Sequence, residues 1–281
     1  MNDRHMFAVA CVLLCLVSVP LLAGTSVTTT GSSTVLPISQ LVSETLAPEG
    51  IDFTVSGGGS GVGITAIIDG TTQIAASSRA MTLDEFKQAV DKGVTPYMWE
   101  IAVDAIAIVV HPSNPIAQIA YAQLRGIYLG QITNWKDLGG PDLRIVVVSR
   151  DTASGTYGTF NELILEKKGV MAGALYQSSN GAVASTVATT PGAIGYVGLG
   201  YLQPALKALD LAKTDAGPFV TPSVATAISF DYALSRPLFY ITNGFPTGAV
   251  ARVIHYVLSD EGQRLVLEAG YAPIRQVSSA F

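Results

Sequence analysis

Cysteine and histidine are scarce in this chain, and their positions exclude several kinds of site. Its two cysteines, Cys11 and Cys15, both lie in one apolar run near the N-terminus. The rest of the chain can therefore hold neither a disulfide nor a thiolate metal site or nucleophile. Beyond the first residues the only histidines are His111, at a strand end, and His255, in an apolar helix. Both contexts predict structural roles, and we expect no metal site.

Sequence motifs of nucleotide-binding and hydrolytic enzymes are also missing. The chain contains no G-x-x-x-x-G-K-[ST] phosphate loop, no G-x-S-x-G nucleophile turn and no H-E-x-x-H zinc motif. A covalent mechanism would need a nucleophile with a base in reach, and no histidine lies near the candidate hydroxyls in sequence. We therefore predict a protein that is not an enzyme and that binds no cofactor.

The chain has few charged residues, and its net charge is slightly negative. Charged residues make up 13% of the chain, about half of their average share in soluble domains. The formal net charge is -5, and no basic stripe is visible. Both features argue against nucleic acid as a partner. We also expect the protein to be a monomer.

Only one long hydrophobic run occurs, and it lies at the N-terminus. It extends over 17 residues, from Met6 to Leu22, follows Arg4 and precedes small residues. This pattern predicts an export signal over residues 1–26, which would place the working domain outside the cytoplasm, in the periplasm or at the outer face of the membrane. A retained membrane anchor is the alternative, although the run is shorter than the ~20 residues of a spanning helix.

After this segment, short apolar strands alternate with segments of helical periodicity. This alternation predicts an α/β protein with mainly parallel sheets. Two apolar stretches, IAVDAIAIVV and RPLFYITN, are candidates for strands that cross between two lobes. On this interpretation the first lobe comprises residues 27–107, the second comprises residues 108–231, and residues 232–281 return to the first.

Three predicted strand-to-helix turns end in small polar residues. A helix start offers free backbone N–H groups and partial positive charge, which attract anions. In parallel sheets such turns meet at the ligand-binding edge. Serine and threonine are also ordinary helix caps, but three such turns in one chain favour an anion site. Their candidate ligands are Ser33, Thr34, Ser60, Ser154, Gly155 and Thr156.

Two arginines and one aspartate extend this pattern. Arg79 and Arg150 each follow a serine at a predicted strand end, and a guanidinium group matches the oxygens of an oxyanion. A surface salt bridge is the alternative for either arginine. Asp104 interrupts an otherwise apolar strand, where an unpartnered carboxylate is costly. Either it has a structural partner, such as an arginine or a helix start, or it accepts a hydrogen bond from a protonated ligand oxygen.

Together these segments resemble the phosphate-binding proteins of phosphate ABC transporters, the PstS-like family. The resemblance covers Val27 to the C-terminus. The segments that carry it are GSSTVLPI, SGGGSGVGI, IAASSRAM, DAIAIVVHPSNP, ITNWKDLGG, SRDTASGT, SNGAVASTVATTPGAIGYV, LSRPLFYIT, LSDEGQ and GYAPI.

The resemblance implies a type II periplasmic-binding-protein fold, with two crossing strands and an anion bound between the lobes. It implies an extracytoplasmic receptor for inorganic phosphate, which delivers the ion to ABC permease subunits. The implied ligands are Ser33, Thr34, Ser60, Ser78 and Arg79 from the first lobe and Arg150, Ser154, Gly155 and Thr156 from the second.

One position departs from the family pattern. Better-known members have an aspartate near the position of Ser78-Arg79, where it accepts the ligand proton, so Asp104 is our candidate acceptor here. Three alternatives stay open: the same fold with sulfate or molybdate, a secreted phosphotransfer enzyme, and a surface protein that has lost binding.

Overall fold

The computed structural model describes residues 25–277, a chain of alternating strands and helices. The predicted export segment, residues 1–26, lies outside them except for its last two residues. The strands are β1 Thr25–Gly31, β2 Ile51–Ser56, β3 Ile74–Ser77, β4 Pro96–Val110, β5 Gln118–Ala120, β6 Val146–Arg150, β7 Leu175–Gln177, β8 Ala193–Gly198, β9 Lys207–Ala208, β10 Asp210–Ala212 and β11 Ser235–Asn243. The α-helices are α1 Leu36–Leu46, α2 Ser60–Ile68, α3 Leu83–Asp91, α4 Tyr121–Tyr128, α5 Gly155–Leu163, α6 Asn180–Thr189, α7 Val224–Ile228, α8 Gly248–Leu258 and α9 Asp260–Glu268. Within residues 25–277, none of these helices has the length and apolarity needed to cross a bilayer.

Two strands join two lobes. The main sheet has the order β2-β1-β3-β11-β4-β8-β6-β7, and β4 pairs with β11 up to Ala105 and with β8 from Ile106 onward. Pairs within either lobe, such as β1–β2 and β6–β8, are parallel, and the antiparallel ladders all involve β4 or β11. This arrangement confirms the predicted fold class, whereas the exact lobe boundaries stay a prediction.

The apolar core follows from the composition of the crossing strand β4. Its residues 101–110 are all buried, because sheet neighbours and helices cover both faces, and nine of these ten positions are apolar. Ile106 and Ile108 belong to a core cluster that also contains Val27 of β1 and Tyr196 of β8. The cluster therefore extends from one lobe into the other and holds β4 in place between them.

The direction of the strands brings the polar turns of both lobes to the gap between them. β1 ends at Gly31, β3 at Ser77 and β6 at Arg150, and each strand is followed by one of the predicted polar segments. Within one lobe the carboxyl ends of parallel strands share an edge of the sheet. β6 runs opposite to β1 and β3, because three antiparallel ladders separate them, so the polar segments of the two lobes face each other across the gap.

We expect Ile108→Ala to lower the free energy of unfolding by about 2–5 kcal/mol, because it leaves a cavity at a fully packed position of a crossing strand. The matched control is Val62→Ala, since the Val62 side chain is 42% exposed on α2 and its loss should change stability by no more than about 0.5 kcal/mol. Urea denaturation of both variants measures the difference. Equal stability losses would contradict the assignment of β4 to the core.

Candidate anion-binding site

Hydroxyl groups from the two lobes meet in the gap between them. Thr34, after β1, and Thr156, in the first turn of α5, have their Oγ1 atoms 3.0 Å apart. Asn180, at the start of α6, donates from Nδ2 to Ser33 Oγ at 3.1 Å and to Thr34 Oγ1 at 3.0 Å. These side chains are buried, so they form a polar cluster inside the protein that spans both lobes.

A second group of hydroxyls lies at the start of α2. Ser60 and Ser78 have their Oγ atoms 3.2 Å apart, and the Ser78 amide donates to Ser60 Oγ at 3.0 Å. Gly155 of the second lobe faces both of them: a Cβ atom on this residue would lie 2.3 Å from Ser60 Oγ and 2.6 Å from Ser78 Oγ. Glycine at position 155 is therefore what allows the backbone of α5 to reach these hydroxyls.

Two further hydrogen bonds to backbone carbonyls connect the lobes. The Gly61 amide donates to the carbonyl of Ala153 at 2.9 Å, which joins the first turn of α2 to the loop before α5. Tyr201 of the second lobe donates its hydroxyl to the Ser33 carbonyl at 2.6 Å. Burial raises the pKa of Tyr201 to about 12, so this hydroxyl keeps its proton at neutral pH and remains a donor.

Ser154 has a structural role as well as a candidate one. It is the N-cap of α5, and its Oγ accepts from the Tyr157 amide at 3.2 Å. This is the ordinary capping role that serine plays at helix starts. The cap fixes the first turn of α5, which presents Gly155 and Thr156 to the gap.

Asp104 has an arginine partner, one of the two alternatives that the sequence left open. β4 and β11 place Asp104 directly opposite Arg236 in their antiparallel ladder. Arg236 donates to Asp104 Oδ2 from Nη2 at 2.9 Å and from Nε at 3.2 Å, and the Leu199 amide donates to Oδ1 at 2.9 Å. Burial raises the pKa of the Asp104 carboxyl, while the Arg236 guanidinium and the Leu199 amide oppose that rise.

Arg236 connects this ion pair to the hydroxyl cluster. Its Nη2 also donates to Thr156 Oγ1 at 2.9 Å. Its Nη1 is buried and has no hydrogen-bond partner among the described residues, although a buried guanidinium donor normally has one. The residue also lines a cavity of about 720 Å³ that reaches Ser78. Arg236 thus offers one unused charged donor beside the hydroxyls.

Arg150 is the second buried cation of the site. Its Nε donates to the carbonyl of Gln177 at 3.0 Å and its Nη2 to that of Ser178 at 2.9 Å, and neither bond uses Nη1. Burial lowers the pKa of Arg150, with the nearby Asp151 acting in the opposite direction. The group starts from so high a value that it stays charged at neutral pH.

Arg79 is directed elsewhere by its neighbours. Its guanidinium makes two hydrogen bonds of 2.7 Å to the carboxylate of Glu85. Glu85 is held by the capping box of α3, in which its side chain also accepts from the Thr82 amide at 2.7 Å. Arg79 therefore lies at the rim of the cavity, in an ion pair, and does not join the hydroxyl cluster.

The structure thus brings most of the predicted residues together and adds three that sequence reasoning missed. Arg236, Asn180 and Tyr201 bond directly to the cluster. Arg236 and Asn180 lie in the segments LSRPLFYIT and SNGAVAS, which carry the family resemblance. The local signal for Arg236 was an arginine at the start of an otherwise apolar crossing strand. The signal for Asn180 was a polar residue directly after the helix-capping Ser179.

Chemically, the site combines neutral donors with two buried cations. Hydroxyl groups and helix-start amides can rotate or point toward the oxygens of a small anion, and each arginine adds a charge-assisted donor. Among the described residues, no group of histidine, cysteine and carboxylate side chains is arranged to hold a metal ion. The arrangement is suited to enclosing a compact oxyanion.

A comparison with family models matches residues 20–261 to the PBP superfamily domain. The phosphate-binding protein PstS of Borreliella burgdorferi is 31% identical over 87% of this chain and 88% of its own length. The chain is a PstS-like member of the PBP superfamily.

Further relatives agree with this assignment. PstS of Bacillus subtilis is 32% identical, over 90% of this chain and 82% of its own length. Among solved structures, a Clostridium perfringens protein assigned as a phosphate ABC transporter substrate-binding protein, with phosphate bound, gives a TM-score of 0.81 at 29% identity, over 89% of this chain and 100% of that one. An ABC-type phosphate transport receptor from Vibrio cholerae gives a TM-score of 0.70 at 31% identity, over 88% and 99% of the two chains. These comparisons confirm the predicted family.

We expect Gly155→Ala to hold the lobes apart, because the added methyl group would overlap the Ser60 and Ser78 hydroxyls. Small-angle scattering should show a larger radius of gyration, and hydrogen exchange at the Gly61 amide should be faster. Gly57→Ala is the control, since a Cβ at Gly57 meets nothing within 4 Å. If both variants match the unmodified protein, Gly155 does not face the first lobe as described.

Asp104→Asn should lower the free energy of unfolding by about 3–5 kcal/mol, because it leaves the buried Arg236 without its counter-charge. The comparison is Asp69→Asn, which breaks the exposed pair with Lys92 and should cost no more than about 1 kcal/mol. Denaturant unfolding of the two variants distinguishes the pairs. A loss below about 1 kcal/mol for Asp104→Asn would contradict a buried charge pair.

Proposed function

We propose that this protein is an extracytoplasmic receptor that binds inorganic phosphate between its two lobes and delivers it to the permease subunits of an ABC transporter. One observation carries the proposal: donors from both lobes and from a crossing strand converge on one buried place, in a chain whose relatives are named phosphate-binding proteins. A tetrahedral ion with four oxygens needs donors from several directions, which this arrangement supplies.

In the proposed complex, neutral donors surround the ion. The first lobe contributes the hydroxyls of Ser33, Thr34, Ser60 and Ser78, and the second contributes the hydroxyls of Ser154 and Thr156 together with the Gly155 amide at the start of α5. The hydroxyls of Thr34 and Thr156 hydrogen-bond to one another across the gap. An ion would replace this contact by accepting one hydrogen bond from each hydroxyl. It would join the lobes more strongly, since charge-assisted hydrogen bonds are the stronger kind.

Arg150 and Arg236 supply the charge. Arg150 is the cation that the sequence predicted, and we assign Arg236 the same task because its Nη1 is buried and unpaired among the described residues. Asp104 then acts on the ion through Arg236, by holding the guanidinium in place. Its predicted role as acceptor of the phosphate proton stays open, and in that role it would disfavour sulfate, which lacks such a proton.

We assign Arg79 to the rim of the site. The capping box of α3 fixes Glu85, and Glu85 holds the Arg79 guanidinium, so Arg79 would have to break two hydrogen bonds to reach an ion among the hydroxyls. The predicted direct contact is thus disfavoured by the cost of leaving the Glu85 carboxylate with fewer donors.

Export and a non-enzymatic role belong to the same proposal. The apolar run before β1 would direct export, whether it is then cleaved or retained as an anchor, and the receptor would work as a monomer without nucleic acid. A phosphotransfer enzyme would need a base next to one of the hydroxyls, and the hydrogen bonds of Thr34 and Thr156 go to Asn180, Arg236 and each other. Incubation with a phosphomonoester, followed by a phosphate assay, should show no turnover.

Calorimetric titration with inorganic phosphate tests the proposal, with sulfate and molybdate as competing anions. We expect phosphate to bind and Arg150→Ala to weaken it by about 10- to 100-fold for each charge-assisted hydrogen bond lost, at ~1.5–3 kcal/mol per bond. Arg79→Gln is the matched control, because it removes a neighbouring cation that is paired with Glu85, and it should bind phosphate within a few-fold of the unmodified protein.

Three results would contradict this account. Tighter binding of sulfate or molybdate would assign the fold to another anion. Equal weakening by Arg79→Gln and Arg150→Ala would move the site to the rim. The absence of any anion binding by the folded protein would favour a surface protein that has lost the receptor function.

A further inference from the structure

Three aromatic side chains form an exposed cluster at the end of the first lobe. Tyr97 and Trp99 lie on the same face of β4 with ring centroids 4.4 Å apart, and Phe245, after β11, lies 4.6 Å from Tyr97 and 5.8 Å from Trp99. We call Tyr97, Trp99 and Phe245 the aromatic surface. Phe245 is 72% exposed and Tyr97 is 39% exposed, so the cluster extends the apolar face of the sheet into solvent.

The chemistry of this surface is amphipathic. Trp99 donates its Nε1 to Thr242 Oγ1 at 2.9 Å, and Tyr97 carries a phenolic hydroxyl. A shallow cavity of about 330 Å³ lies beside Phe245. The described residues that line it are all uncharged, among them Gln73, Pro246 and Thr247. Exposed apolar groups with polar edges and no formal charge are typical of contact with a membrane interface.

The aromatic surface lies at the end of the sheet opposite the candidate anion site. β1 and β3 run parallel, with Thr29 opposite Ile74, so both strands start at the same end. β11 runs antiparallel to β3 and finishes at that end, where Asn243 pairs with Pro96 at the start of β4. Only β3 separates β1 from β11, which places the two strands about 10 Å apart.

The apolar run of the N-terminus joins the domain at this same end. Leu22, its last residue, is followed by Ala23 and Gly24, and β1 begins at Thr25. Three peptide steps span at most about 11 Å. If the run stays in the chain and enters a bilayer, covalent geometry keeps the start of β1, and with it the aromatic surface, close to the headgroups.

We propose that the aromatic surface is a lipid contact, which seats the first lobe on the membrane interface beside a retained apolar segment, residues 6–22. Tyrosine and tryptophan are the residues enriched at this depth of a bilayer, because their rings lie among the apolar chains while their polar atoms stay hydrated.

Fluorescence quenching by brominated lipid tests this contact. The chain has two tryptophans: Trp99 in the aromatic surface, and Trp135, fully buried in the second lobe with its Nε1 donating to the Gly192 carbonyl. The full 281-residue chain is reconstituted into phosphatidylcholine–phosphatidylglycerol vesicles, with the acyl chains brominated near the headgroup or left unmodified. We expect brominated vesicles to remove the Trp99 share of the emission, and Trp99→Phe to abolish this loss.

Paired variants separate lipid contact from loss of fold. Tyr97→Ser combined with Phe245→Ser should reduce the quenching of Trp99 while the thermal melt remains cooperative. Leu83→Ser is the control, since Leu83 is 67% exposed but lies at the start of α3, near the anion-site end of the lobe, and it should leave quenching unchanged.

Three results would contradict the lipid contact. Equal emission in brominated and unmodified vesicles would overturn the proposal, and it is the result expected if a protein partner covers the aromatic surface. Quenching that persists in Trp99→Phe would overturn it as well, because the signal would then come from Trp135. Failure of the full chain to float with the vesicles would show that residues 6–22 do not hold it at a membrane.

Discussion

The ion pair between Asp104 and Arg236 is the interaction on which the rest of the site depends. Each residue lies in one of the two crossing strands, and the antiparallel ladder places them directly opposite each other. A charge in this apolar setting is tolerated only with a partner, so the pair requires β4 and β11 to stay in register. The same guanidinium then reaches Thr156, which links the connection between the lobes to the hydroxyls in the gap.

Most of the donors in the site are neutral hydroxyls and helix-start amides. Of the two buried cations, Arg236 faces the Asp104 carboxylate, whereas Arg150 donates to the backbone carbonyls of Gln177 and Ser178. An ion held mainly by such dipoles does not need a positive protein. The formal net charge of -5 is therefore compatible with anion binding, because the field inside a buried gap is set by the groups that line it.

Sequence reasoning reached the fold and the polar turns for physical reasons. Alternating apolar strands and helices admit few arrangements. In each lobe the parallel strands end at one edge, and the edge after Gly31 and Ser77 faces the edge after Arg150. The partner of Asp104 was out of reach, because it lies 132 residues away and depends on the register between two strands. Asn180 was missed for a similar reason, because its partners Ser33 and Thr34 lie 147 and 146 residues away, in the other lobe.

The position of Arg79 shows a different limit. The capping box that draws it away was present in the sequence as Thr82 and Glu85, three residues apart, yet family resemblance placed Arg79 with the ligands. A nearby carboxylate such as Glu85 can thus hold an arginine away from the position that a sequence motif indicates. The hydroxyl turns had no such competitor, apart from the cap made by Ser154, and they lie where strand direction predicted.

A crystal structure of the protein grown with phosphate tests the central claim most directly. We expect one phosphate ion between the lobes, with oxygens within hydrogen-bonding distance of Thr34, Thr156 and both the Arg150 and Arg236 guanidinium groups. A phosphate ion bound instead at the rim, on Arg79, with the Thr34–Thr156 contact unchanged, would contradict it.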